Sequence, residues 1–221
     1  MKRLSLGSSL DTFIDSLEYT QAALAAEPLT ATLVAAVDEL IEEGEALLVA
    51  DRRSRRALTQ KWALVAVCDL HLDLVEKKAF KLAEVQDPAL RAKMSKSATS
   101  AFLRSSYLKQ CTHTTTIILP LLRALADGHP VKPYATEIET TCTALMAALE
   151  GRDKARGERA LAAQRFEDWK EGANRFRTTL HAQLVGLAMS NGFEKSWADG
   201  FFPSEGRSKS AAEPTEPSPE A

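Results

Sequence analysis

Five side chains in this sequence are of the types that bind transition metals: Cys68, His71, Cys111, His113 and Cys142. Cys68 and His71 are three apart, hence on one face if the segment is helical. Cys111 and His113 flank one residue, and Cys142 follows in a later segment. Thiolates and imidazoles brought together would suit tetrahedral zinc, but these spacings match no recurring zinc motif. The preferred reading is therefore plainer. The cysteines are small buried residues, and His71 is a core histidine bonded to some polar partner. No metal or cofactor is expected.

Asp69, Asp73 and Glu76 follow at steps of four and three. Paired carboxylates can do acid–base work or bind a cation. A helical wheel sets them opposite Leu64, Val67 and Leu74, so they are expected to point to water. A di-iron bundle would need Glu-x-x-His pairs, which the chain lacks.

Two groups are candidate partner-binding residues. Arg52, Arg53, Arg55 and Arg56 are the densest positive run and have the chemistry to neutralise phosphates. Nearby acidic residues make interhelical ion pairing the preferred use. Trp197, Phe201 and Phe202 would anchor a protein partner if exposed, but are expected to fold back onto the end of the bundle. The chain contains no Gly-rich phosphate loop, Gly-x-Ser-x-Gly, His-Glu-x-x-His or Cys-x-x-Cys.

The elements that must position these groups are helices. Ala and Leu dominate the apolar set, aromatics are only 6%, and Gly and Pro number 10 and 9, a composition that favours helix. A first helix is expected from Ser9 to Ala26, with Ser8 or Ser9 capping it and Asp11 in its first turn. Pro28 ends that segment. From Thr30 to Val85 there is no proline, and Gly44 is the only glycine. This reads as one long helix, or two nearly collinear ones broken near Asp51, about 80 Å if continuous. Its stripes are Leu33, Val37, Leu40, Gly44 and Leu47, then Leu64, Val67, Cys68, His71, Leu74, Val75 and Leu82. The alternation from Asp69 to Leu74 reads alone as a strand, but its flanks are helical and helix is preferred.

Residues 86–133 form an insert. Pro88 opens a short helix. An inserted helical pair runs from about Ser100 to Cys111 and from Thr114 to Ala126, the second kinked by Pro120. Gly128 and Pro130 stop it. A second long helix spans 134–190, with its cleanest stripe from Phe166 to Leu187. Residues 204–221, rich in Ser, Pro, Glu and Ala, are expected to be disordered.

The expected fold is thus all-α: an elongated helical bundle, a single domain over 1–203, built on two long antiparallel helices. Partner positions summing to roughly 207 align the polar blocks at 51–56 and 151–156. Net charge is −2, which argues against general attraction to nucleic acid. No apolar run is long enough to span a membrane, and an odd number of cysteines reads as reduced thiols in a cytoplasm. The expected function is a non-enzymatic helical scaffold or protein–protein interaction protein that self-associates. The alternatives are a metal-binding bundle or metal-dependent enzyme using the Cys/His group, and nucleic-acid binding through the arginine run.

Overall fold

The computed structural model describes residues 3–203. Among the described residues there is no β-strand; helices joined by short connections make up the fold. The Asp69–Leu74 alternation lies inside a helix. The expectation for 204–221 lies outside the described residues. Helices α1 (Leu10–Ala26), α2 (Val34–Gln86), α3 (Pro88–Met94), α4 (Thr99–Leu103), α5 (Tyr107–His113), α6 (Leu119–Arg123) and α7 (Tyr134–Ser190) follow in order. Both long helices run unbroken. Contacts divide the chain into two compact units. One comprises the residues up to Asp51 with those from Ala162 onward, and the other is Arg52–Leu161.

In the first unit, Ser9 caps α1 by accepting from the Thr12 amide at 3.1 Å, satisfying one of the amides a helix start leaves free. The apolar face of α1 buries Phe13, Leu17 and Leu24 against Val37 of α2 and Trp169, Ala173 and Leu184 of α7. Trp169 lies across α2 at Gly44, where an added Cβ would sit 2.6 Å from the indole Cζ2. The missing side chain makes room for the ring, which offsets the poor helix propensity of glycine. The expected register set Gly44 against Ala163; the indole instead fixes it at Trp169. Gly192, at φ 75°, ends α7. The Phe193 amide reaches back to the Ala188 carbonyl at 2.8 Å, a Schellman closure. The 3-10 turn Lys195–Phe201 then returns Ala198, Phe201 and Phe202 to the core.

The second unit packs the latter part of α2 and the first part of α7 against the insert. Asp87 caps α3 at 2.9 Å from the Leu90 amide, with Pro88 in the first turn. Val65, Leu72, Phe80, Met94, Phe102, Ile118, Leu122, Ile138 and Leu145 fill the core. Phe80 meets Phe102 edge-on at 5.4 Å, and Arg91 lies over Phe80 at 4.5 Å while donating to the Ser95 carbonyl. The helix expected over 100–111 is split between α4 and α5. The one expected over 114–126 opens instead with a π-helical turn, Thr114–Ile118, followed by α6. Pro120, which has no N–H to donate, follows directly on the π turn inside an uninterrupted helical run, where the Leu119 amide bonds to the Thr114 carbonyl five residues back. Trp62 of α2 lies beneath Arg152 of α7, 4.8 Å from guanidinium to ring, where the expected register set Leu145.

Candidate functional site

Two features of the second unit concentrate its chemistry, and both are set by the rotation of α2. Val65, Leu72, Ala79, Phe80 and Ala83 are fully buried and define the inward face. Asp69 and Glu76 lie four residues after Val65 and Leu72, so they fall inside that stripe rather than opposite it. Glu76 is buried, and Asp69 and Asp73 are half-buried. The expectation that these carboxylates point to water is corrected: they face the insert.

Gln110 of α5 meets them with its amide nitrogen, donating to Asp73 Oδ1 and to Glu76 Oε2, both at 2.7 Å. The Thr114 hydroxyl, at the start of the π turn, donates to Glu76 Oε1. Gln110 is itself fully buried, and its Oε1 has no hydrogen-bond partner. Burial pushes the Glu76 carboxyl up to about 7; the hydrogen bonds from Thr114 and Gln110 oppose the rise, and the charges of Asp73 and Asp69 add to it. Burial, then Asp73, raises Asp69 as well. A buried carboxylate loses hydration that two hydrogen bonds only partly replace. The arrangement is a proton-accepting group at the seam between α2 and the insert.

The opposite face of α2 is apolar at its centre and charged at its ends. Ala63, Val67, Leu70 and Leu74 recur at steps of four, three and four, with Leu64 and His71 beside them, and all are exposed. Leu70 keeps 56% of its surface and Val67 49%, which is unusual for a row of large aliphatics on one helix face. Continuing the same steps reaches Gln60, Arg56 and Arg53 in one direction and Lys77, Lys81 and Glu84 in the other, all exposed. Between Arg52 and Ala83 every Lys and Arg of α2 is exposed, whereas its three carboxylates, Asp69, Asp73 and Glu76, are turned inward.

Comparison with protein-family models, curated proteins and solved structures finds no match. The residues themselves carry the functional reading.

The metal-binding candidates are only partly brought together. Cys111 and Cys142 are buried side by side, the Cys142 thiol directed at the Cys111 carbonyl at 3.9 Å. Contact with Cys142 and burial hold the Cys111 thiol well above the ordinary thiol range, so it stays protonated. Cys68 packs half-buried against the same core. His113 bonds through Nε2 to the Met94 carbonyl at 2.7 Å and packs against Phe102 with the rings tilted; a carbonyl only accepts, so that nitrogen carries the hydrogen. His71 is exposed, which corrects its reading as a core histidine. Among the described residues, no three His, Cys, Asp or Glu side chains are placed to hold a metal ion.

Of the partner-binding candidates, Phe201 and Phe202 are buried in the first unit and Trp197 is half-buried, stacked on Phe193 and edge-on to Phe201. Those aromatics serve that unit's own core. Arg52, Arg53, Arg55 and Arg56 are exposed. The residues the sequence reading missed are Gln110 and the outward aliphatic row. A signal for that row was present. Extending Leu64–Val67–His71–Leu74 by helical steps lands on Lys78 and Lys81, whereas extending Val65–Leu72 lands on Ala79, Phe80 and Ala83.

No helix among the described residues is long and apolar enough to cross a membrane.

Proposed function

We propose that this chain is a helical protein-interaction module whose contact surface is the outward face of α2 between Ala63 and Leu74. The observation that supports the reading is the row of half-exposed aliphatics there, at helical spacing, beside an inward face that already satisfies the core of its unit. Exposed apolar area of this kind costs solubility unless something covers it, and in water its burial is worth about 25 cal/mol per Å². A small number of central apolar residues commonly carries most of the energy of a protein contact. The inward carboxylates and hydrogen-bonding residues fix the rotation of α2, and so determine which residues reach the surface. In this reading the protein works by assembly rather than by a chemical step.

The test is sedimentation of the labelled full chain in extract of its own cells, against a variant carrying Val67→Ser, Leu70→Ser and Leu74→Ser. The three positions are exposed, so the variant is expected to keep its circular dichroism spectrum and thermal midpoint. The native chain is expected in a faster-sedimenting species that the variant fails to join. Identical profiles for the two proteins would remove the reading.

A further inference from the structure

In the first unit, three buried polar residues of α7 follow at steps of four and three: Lys170, Asn174 and Arg177. They share one helix face, and they keep only 7%, 6% and 2% of their surface. Polar groups this deep are normally answered by a partner. Two of the three are answered by the segment that precedes α1. Asn174 accepts from the Leu4 amide through Oδ1 at 3.0 Å and donates to the Leu4 carbonyl through Nδ2 at 2.9 Å, the pair of bonds a neighbouring strand would supply. Lys170 donates from Nζ to the Leu6 carbonyl at 2.9 Å. All three bonds go to main-chain atoms. The side chain of Leu4, half-buried against the core, is the apolar anchor of the segment. A face that reads main chain admits other sequences in the same place.

Arg177 is not answered. Its Nε and Nη1 have no hydrogen-bond partner, and the Phe202 ring lies 5.5 Å away. Burial alone lowers its pKa, with no carboxylate contributing. The carboxylate of Asp199 is engaged by His181 at 2.9 Å. As α7 advances from Lys170 to Asn174, the bonds step back from Leu6 to Leu4, so Arg177 comes next toward the residues that precede the clamped one. The chain's own sequence supplies no carboxylate there. From Lys2 to Leu10 it contains no Asp or Glu, and Lys2 and Arg3 are cations.

We propose that this face of α7 is a peptide site for a partner segment bearing Asp or Glu immediately before the residue that Asn174 clamps, and that the chain's own segment holds the site until such a partner displaces it. The site is independent of the outward face of α2. A tethered occupant has the advantage of high effective concentration, so a rival needs a contact the tethered segment lacks. A carboxylate on a buried, unpaired guanidinium is such a contact. A second copy of this chain brings the same two cations and gains nothing by exchange.

The experiment uses the full chain and two fluorescent peptides. One has the sequence of residues 2–8; in the other Lys2 and Arg3 are replaced by Glu. Fluorescence anisotropy is expected to show the acidic peptide binding at least about tenfold more tightly than the other, the scale of a hydrogen bond to a charged group. Arg177→Met, with its fold checked by circular dichroism, is expected to bind the two peptides equally. In the full chain carrying Lys2→Glu and Arg3→Glu the tethered segment is itself matched to Arg177, so the thermal midpoint should rise and the acidic peptide should bind at least about tenfold more weakly. Equal affinity of the native chain for both peptides, or no binding of the acidic one up to about 1 mM, would overturn the proposal. So would a preference that survives Arg177→Met. If Arg177→Met does not fold, the double variant decides: an affinity for the acidic peptide unchanged from the native chain overturns the proposal.

Discussion

Glu76 makes the second unit respond to pH in a direction opposite to that of most surface carboxylates. Its pKa rises from 4.5 to about 7 on folding, chiefly through burial. The folded state therefore binds the proton more tightly than the unfolded chain does. The associated stability is fully present below pH 4.5 and is lost as pH climbs through 7, above which both states are ionised. A rise of this size corresponds to about 3 kcal/mol at 1.36 kcal/mol per pKa unit, a substantial part of the stability of an ordinary domain. Urea unfolding followed by circular dichroism, at closely spaced pH values for the native chain and Glu76→Gln, isolates the contribution. Other titrating groups cancel in the difference. The glutamine keeps the shape and can still bond to Thr114 and Gln110, so the variant is expected to match the native chain at acid pH and to exceed it by about 3 kcal/mol in alkaline solution. Native-state amide exchange should place the alkaline loss in α5 and the π turn, which hold Gln110 and Thr114. A difference that stays constant across the whole range, or that grows toward acid pH, would refute the assignment of Glu76 as a buried group destabilised by its charge.

Three further outcomes follow from single positions. Gly44→Ala should destabilise the protein by about 1–3 kcal/mol in thermal unfolding, because the new methyl collides with the Trp169 ring; a gain instead would mean that helix propensity outweighs the contact. Arg177 is 2% exposed, with Nε and Nη1 unpartnered and its guanidinium 5.5 Å from the Phe202 ring; burial lowers its pKa. Arg177→Met should therefore raise the unfolding free energy by about 1–2 kcal/mol, since a buried charge lacking hydrogen bonds costs more than a single cation–π contact returns, and a lower thermal midpoint would contradict this. With a bulky thiol reagent under native conditions Cys68 should react first, whereas Cys111 and Cys142 should react only at the rate of unfolding; rapid modification of all three would contradict their burial.

The helices, the cap at Ser9, the helix start at Pro88, and the stop signals at Gly128 and Gly192 were legible because each depends on local chemistry: apolar spacing, an oxygen acceptor before a first turn, a residue tolerant of positive φ. The rotation of α2 was not, because both of its faces are apolar between Leu64 and Val75. The two stripes differ by one residue, and only their continuations, Lys78 and Lys81 against Ala79, Phe80 and Ala83, separate them. Choosing the wrong stripe sent His71 inward and Glu76 outward in one step. The π turn was illegible for another reason: Thr114–Ile118 has no composition distinguishing it from α-helix, and it is the Thr114 hydroxyl on Glu76 that ties the segment to α2. The register of the long helices slipped because stripes of leucine and alanine align almost equally well at neighbouring offsets.

The indole lying across Gly44 has a consequence for how this sequence can change over generations. Shifting α2 by one turn in either direction would bring Leu40 or Leu48 to the ring, and neither offers the empty volume that a hydrogen atom leaves. Positions 44 and 169 therefore amount to a single heritable character. A descendant that loses the tryptophan is released from the glycine, and one that acquires a side chain at 44 is destabilised until the ring is replaced by something smaller, so the two substitutions are expected to accompany one another.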